Sequence, residues 1–119
     1  MKKTLVLGAS DNPSRYSYLA INRLRAEGHE VVAIGKKATS VRDVKIEKLP
    51  ANFSDIDTVT LYLNSKNQKD YYNYILSLHP KRIIFNPGAE NEELADLARE
   101  KGILPLEACT LVLLSTNQY

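Results

Sequence analysis

The sequence has few of the features that mark secreted, membrane-spanning or disulfide-bonded proteins. Its 119 residues include one cysteine, Cys109, and no tryptophan, so an internal disulfide is excluded and a reducing compartment is favoured. No apolar stretch reaches the roughly 20 residues that cross a bilayer. The first three residues, Met-Lys-Lys, lead directly into a strand pattern rather than a signal peptide. We therefore expect a cytoplasmic protein with no membrane partner.

Charge of a single sign is also scarce. Sixteen Lys and Arg face fourteen Asp and Glu, and the basic residues are scattered instead of forming a stripe, so nucleic acid is not an expected partner. Hydrophobic residues make up 44% of the chain and charged residues 25%, which is ordinary globular usage. The length predicts one domain, residues 1–119, with little room for a separate catalytic domain. A homodimer or an unidentified protein partner stays open.

Short apolar runs alternate with segments of helical periodicity along the whole chain. Five runs predict strands, at residues 4–7, 30–34, 58–62, 82–85 and 103–106. Helices are predicted at residues 16–27, 67–78 and 92–101, and a polar stretch leaves room for a short edge strand near residues 44–46. This alternation predicts an α/β, Rossmann-like, doubly wound parallel sheet of five strands in the order 3-2-1-4-5, with helices on both faces.

In that strand order the first and fourth strands are neighbours, and the winding of the sheet reverses between them. Ligands of such folds bind at this point, at the carboxyl ends of the strands. The two loops concerned are residues 8–13 and 86–89, and each has a glycine where a ligand must come close to the backbone. We therefore expect a crevice between these loops.

The first of these loops has the composition of a phosphate site. Gly8 ends a buried strand, and Ala9 and Ser10 precede a helix whose free N–H groups and positive dipole end suit phosphate. Ser10 adds a hydroxyl donor and Arg15 a charge. The complete G-x-G-x-x-G pattern is absent, so simple turn geometry remains an alternative interpretation.

The end of the second strand bears lysines where an NAD site has an acidic residue. Gly35, Lys36 and Lys37 follow that strand and offer no acceptor for a ribose 2′-hydroxyl. An ammonium pair suits an additional phosphate on the adenosine ribose, as in NADP or coenzyme A. The alternative is that the two lysines belong to a solvated loop.

Several short segments, in one order along nearly the whole chain, resemble the small single-domain coenzyme A-binding protein family. They are Gly8-Ala9-Ser10, Arg15-Tyr16-Ser17, Gly28-His29-Glu30-Val31, Leu49-Pro50 before Ile56-Asp57, Pro87-Gly88-Ala89-Glu90-Asn91-Glu92, Gly102-Ile103 and Ala108-Cys109. The family is similar to the nucleotide-binding N-terminal domain of the succinyl-CoA synthetase α subunit. The resemblance implies a Rossmann-like fold that binds coenzyme A or an acyl-CoA, with no established reaction in stand-alone members.

Two segments depart from the family pattern. Gly35-Lys36 stands where members commonly have Asn-Pro after the second strand, and this affects the adenosine end of the site. Asn86-Pro87 replaces a common Gln, although the Asn86 side chain still has an amide donor and acceptor.

The resemblance implies a set of residues around the ligand. The loop at Gly8 would face the pyrophosphate, Lys36 and Lys37 the ribose phosphate or adenine, and Leu63, Asn64 and residues 86–89 the far wall. Cys109 follows the last strand and either lies near the pantetheine thiol or is a small buried residue. The expected cofactor-binding residues are Gly8, Ala9, Ser10, Asn12, Arg15, Tyr16, Gly35, Lys36, Lys37, Leu63, Asn64, Asn86, Pro87, Gly88, Ala89 and Cys109.

No catalytic residue or metal site is predicted. His29 and His79 both fall in turns at the opposite end of the sheet from the expected crevice, and no nucleophile, base and acid combine into a set. The leading hypothesis is non-catalytic binding of coenzyme A or an acyl-CoA, and the alternative is an NADP-binding oxidoreductase domain. A regulatory receiver domain is disfavoured, because its acidic cluster is represented only by Asp11.

Overall fold

The computed structural model describes all residues from Met1 to Tyr119, which form one mixed α/β sheet structure. The strands are β1 (Thr4–Ala9), β2 (Val31–Gly35), β3 (Thr39–Val41), β4 (Val44–Glu47), β5 (Thr58–Leu61), β6 (Arg82–Phe85) and β7 (Leu104–Glu107). The α-helices are α1 (Tyr16–Ala26), α2 (Ser65–Gln68), α3 (Tyr72–Ser77), α4 (Glu92–Glu100) and α5 (Thr110–Ser115). No helix combines the length and apolarity needed to cross a membrane.

The sheet has seven strands in the order β3-β4-β2-β1-β5-β6-β7. All neighbouring pairs are parallel except β3 and β4, which are antiparallel. The Rossmann-like α/β class is confirmed, whereas the prediction of a wholly parallel, five-stranded sheet is wrong.

The error comes from the β3–β4 hairpin, which the sequence signalled only as a possible edge strand. This hairpin turns at Arg42, whose φ of 54° lies in the left-handed region, and β4 pairs with the outer side of β2. When β4 is counted as the third strand, the winding 3-2-1-4-5 reappears with β5 as the fourth. The strand beside β1 at the reversal is therefore β5 rather than the predicted strand at residues 82–85.

Two helical segments also differ from the prediction. The helix predicted at residues 67–78 is broken into α2, a 3₁₀ turn at Lys69–Tyr71, and α3. The C-terminal helix α5 was not predicted, because its apolar stretch at residues 111–114 has no polar face that would distinguish a short helix from a strand.

The core lies on both faces of the sheet because β1 is buried on both sides. Leu5 and Leu7 point to the face covered by α3 and α4, and Val6 points to the opposite face. Ile21 of α1 packs in the same cluster as Val6. Each fully buried aliphatic side chain of this kind contributes about 1.5–3 kcal/mol. Packing on both faces holds the central strands side by side, so their carboxyl ends lie together at one end of the sheet.

Tyr119 packs at the opposite end of the sheet, beside the amino ends of the strands. Its hydroxyl lies 2.6 Å from Oγ1 of Thr4, and the Arg82 guanidinium sits over its ring at 4.4 Å. The ring of His29 meets it edge-on at a centroid distance of 4.9 Å. His29 is therefore part of the packing at the edge far from the expected crevice.

Candidate functional site

A crevice of about 720 Å³ opens at the carboxyl ends of β1, β2 and β5. Most of the predicted site residues line it, namely Gly8, Ala9, Ser10, Arg15, Tyr16, Gly35, Lys36, Lys37, Leu63, Asn64, Pro87, Gly88 and Ala89. Its volume is typical of small-molecule sites, which usually range from about 300 to 1,000 Å³. The structure thus gathers residues from four regions of the sequence, at positions 8–16, 35–37, 63–64 and 87–89, into one cavity.

Three predicted residues do not line the crevice, and each has another position. Asn12 orders the loop after β1, because its side-chain oxygen accepts hydrogen bonds from both the backbone N–H and the hydroxyl of Ser14. Cys109 is half-buried at the N-cap position of α5.

The third of these residues, Asn86, corrects an expectation. Its side-chain nitrogen donates to Thr60 Oγ1 at 2.7 Å and to the carbonyl oxygen of Leu61 at 2.8 Å. Its side-chain oxygen accepts from the backbone N–H of Thr110. Because these bonds lie within the protein and the residue is 3% exposed, the Asn86 amide supports the wall from beneath and does not face the cavity.

Gly8, near the end of β1, packs closely against the loop after β5. It has a φ of +93°, and a Cβ at this position would lie 2.9 Å from the carbonyl carbon of Tyr62 and 3.2 Å from Leu63 Cδ2. The sequence predicts that glycine is needed here so that a ligand can approach the backbone. The contact that excludes a side chain is instead with the β5 loop, so Gly8 sets the shape of the crevice floor.

The amino end of α1 faces the crevice with its N–H groups uncapped. Arg15 occupies the N-cap position without a side-chain hydrogen bond to the helix, and the first turn has no acidic residue. By contrast, α4 is capped by Asn91, which accepts from Leu94 N–H, and has Glu92 and Glu93 in its first turn. The positive dipole end of α1 is therefore available to an anion, together with the Arg15 guanidinium.

Cations concentrate at the end of the crevice formed by β2 and the hairpin. Lys36, Lys37 and Lys48 all line it, with Asp11 as the only carboxylate among the lining residues. Asp11 accepts from the Thr39 hydroxyl at 2.9 Å and pairs with Lys37 Nζ at 3.1 Å. The hydrogen bond from Thr39, followed by the contact with Lys37, lowers the pKa of Asp11, so its carboxylate is charged at neutral pH.

The far wall of the crevice consists of the loops after β5 and β6. Gln68 is completely buried between these loops and donates to the carbonyl oxygens of Leu63 and Ala89. Asn64 caps α2 by accepting from the N–H of Asn67, and both amides border the cavity. This wall offers hydrogen-bonding groups beside the hydrophobic surfaces of Leu63 and Tyr71.

Sequence reasoning missed several lining residues. They are Asp11, Ser17, Ile34, Thr39, Lys48, Tyr62, Asn67 and Tyr71. Asp11, Ser17 and Ile34 adjoin predicted residues, and their proximity was the available signal. Thr39 lies in the β3–β4 hairpin, Lys48 directly follows it, and Tyr71 belongs to the 3₁₀ turn that interrupts the predicted helix, so no local pattern indicated them. No group of three or more His, Cys, Asp or Glu is placed to hold a metal ion.

Comparisons with known proteins identify a family and a fold for this chain. The model of a family described as a CoA binding domain matches residues 2–115. A solved structure described as an uncharacterized protein is 51% identical with a TM-score of 0.97, covering all of this chain and 98% of that one. No curated protein matches the chain.

Two more distant structures show the same fold. A hypothetical protein from Pyrococcus horikoshii OT3 has a TM-score of 0.84 and 24% identity, over 93% of this chain and 80% of that chain. Acetyl-coenzyme A synthetase 1 of Ca. Korarchaeum cryptofilum, described as dinucleotide forming and in complex with phosphate and ADP, has a TM-score of 0.73 and 20% identity. The match covers 89% of this chain but only 25% of the synthetase, so the fold corresponds to one part of a larger protein.

Proposed function

The chain belongs to the CoA-binding domain family, and from this we propose that its crevice binds coenzyme A or an acyl-CoA without itself catalysing a reaction. Coenzyme A combines a diphosphate, a 3′-phosphorylated adenosine and a pantetheine arm with two amides and a thiol. Each of these parts requires a different kind of surface.

The observation that carries the proposal is the uncapped amino end of α1 beside the loop at Gly8. A diphosphate placed there accepts hydrogen bonds from backbone N–H groups and is stabilised by the positive end of the helix dipole. The Arg15 guanidinium adds a favourable charge interaction. The Ser10 side chain borders the same space, although its oxygen accepts from the N–H of Asn12. The floor held by Gly8 and Tyr62 brings this anion site close to the centre of the sheet.

The remaining parts of the ligand fit the two ends of the crevice. The lysines after β2 suit the phosphate on the adenosine ribose. The amides of Asn64 and Asn67 suit the pantetheine amides, which then run along the wall towards residues 87–89. Cys109 does not line the crevice, so we assign no contact between Cys109 and the thiol of the ligand.

An NADP-binding oxidoreductase domain is the second candidate. The observation in its favour is the same lysine cluster at the end of β2, since an ammonium group accommodates a ribose 2′-phosphate as well as a 3′-phosphate. Family membership favours coenzyme A over NADP.

Isothermal titration calorimetry with coenzyme A, acetyl-CoA, NADP and NAD separates these candidates. We expect binding of coenzyme A or acetyl-CoA and a higher melting temperature at ligand concentrations far above the dissociation constant. Native mass spectrometry of gently purified protein would identify a retained acyl group by its mass. Tighter binding of NADP together with nicotinamide turnover would establish the second candidate, and no binding by folded protein would overturn both.

A further inference from the structure

The lysines around the crevice are not equivalent, although three of them line the same end. Lys37 is paired with Asp11 at 3.1 Å, and Asp11 is held in place by the hydroxyl of Thr39. Lys36 and Lys48 have no carboxylate within ion-pair distance. Two uncompensated ammonium groups are therefore left to meet an anion at this end of the crevice.

The parallel pairing of β2 with β4 brings these two free lysines to the same edge of the sheet. Ala33 pairs with Ile46 and Ile34 with Glu47, so the next positions in this register are Gly35 and Lys48. Lys36 is one residue further along. Gly35 also leaves no room for a side chain, because a Cβ would overlap the carbonyl oxygen of Ala9, and the end of β2 thereby lies directly against the end of β1.

We propose that Lys36 and Lys48 together bind the phosphate on the adenosine ribose, and that Lys37 holds the two loops together through Asp11 instead of contacting the ligand. This inference rests on the proposed function and adds Lys48, on the segment after β4, as a specificity-determining residue. Two ammonium groups balance the two charges of such a phosphate, while the Asp11 carboxylate stays paired with Lys37. Coenzyme A and its 3′-dephospho form differ only in this phosphate.

The test measures the affinities of both ligands for single alanine variants. Lys36→Ala and Lys48→Ala should each weaken coenzyme A by roughly 5- to 20-fold, a range for charge-assisted bonds partly screened by solvent, and should change dephospho-coenzyme A by less than about twofold. Lys48→Arg should retain the preference. Lys37→Ala should alter both ligands by the same factor. Lys45→Ala is the matched control, because Lys45 lies on β4, pairs with Glu47 and does not line the crevice.

The wild-type protein distinguishes failure of this inference from failure of the proposed function. Binding of neither ligand overturns the proposed function and this inference with it. Equal affinity for coenzyme A and dephospho-coenzyme A overturns the inference alone, as does a selective loss of coenzyme A in Lys37→Ala but not in Lys48→Ala. Asp11→Asn provides an independent measurement, since releasing Lys37 should increase the preference for coenzyme A by about two- to fivefold.

Discussion

The side-chain amide of Gln68 donates a 2.7 Å hydrogen bond to the carbonyl oxygen of Ala89. The same nitrogen donates to the carbonyl oxygen of Leu63 at 2.8 Å, and Asn91 donates to the Gln68 side-chain oxygen at 2.9 Å. One buried side chain therefore joins the loop after β5 to the loop after β6. Since both loops form the far wall of the crevice, the shape of that wall depends on a residue that the ligand would not touch.

Replacing Gln68 with Met should reduce both stability and ligand affinity. Met has a similar length but no donor, so the carbonyl oxygens of Leu63 and Ala89 lose a partner, which costs about 1–3 kcal/mol for each group left unsatisfied away from water. Chemical denaturation measures the loss in unfolding free energy. Lys66→Ala is the control, because Lys66 is an exposed residue of the same helix. A Gln68→Met variant as stable as this control would show that the two loops hold their positions independently.

Gly8→Ala should destabilise the fold more than Gly102→Ala does. Both glycines have positive φ, +93° and +75°, so both substitutions strain the backbone by about 1 kcal/mol or more. Only at Gly8 would the new Cβ also collide with the backbone of Tyr62, whereas nothing lies within 4 Å at Gly102. The difference between the two unfolding free energies isolates the collision. Equal losses would mean that the loop after β5 moves aside without cost.

The fold was predictable where strands are continuous and apolar, and much less so where they are short and polar. The central strands at residues 4–7 and 82–85 were recognised from the short apolar runs of strands that are buried in the sheet, and the strand at residues 58–62 from its concentration of β-branched residues. The hairpin of β3 and β4 has alternating polar residues such as Ser40 and Lys45, which give a weak signal over three or four residues. Because this hairpin was not counted, the strand at residues 82–85 was predicted beside β1, in the position that β5 occupies.

The residues of the candidate site were likewise predictable where the local sequence marks the end of a strand, and not where long-range strand pairing places them. The loops near Gly8 and Gly35 were identified because a glycine follows a short apolar run in the sequence, although Gly8 is the penultimate residue of β1 and only Gly35 ends its strand. Lys48 was not identified, since its position depends on the pairing of β4 with β2, a long-range contact with no local pattern. The interpretation of Gly8 was incomplete for a similar reason, because its steric partner, Tyr62, is more than fifty residues away.

Stability should fall between pH 7.5 and 5.5 in a way that depends on His29. Burial lowers the pKa of His29, and its Nδ1 accepts a hydrogen bond from the backbone N–H of Lys2, which requires the neutral ring. A lowered folded-state pKa contributes stability that is present above the unfolded value of about 6.5 and is lost as the pH falls through the folded value. The measurement is the unfolding free energy at both pH values for wild type and His29→Asn.

The wild-type protein should lose more stability on acidification than His29→Asn loses. His79→Asn serves as the control, because His79 is exposed and its φ of 48° lies in the region that asparagine tolerates. Identical pH dependence in the wild type and in both variants would show that other groups, chiefly carboxylates, account for the whole effect.

Arg15→Gln should weaken coenzyme A and dephospho-coenzyme A by the same factor, because both ligands share the diphosphate that we place at the amino end of α1. The loss should be about 1.5–3 kcal/mol at low ionic strength, the range for hydrogen bonds to charged groups. It should shrink as salt is added, since Arg15 is exposed and the Debye length is about 8 Å at physiological ionic strength. Arg23→Gln on the same helix is the matched control, because Arg23 pairs with Glu27 at 2.7 Å and does not line the crevice. Calorimetry that finds no change for Arg15→Gln, or a loss confined to coenzyme A, would contradict the placement of the diphosphate beside Arg15, because the two ligands share the diphosphate and differ only in the 3′-phosphate.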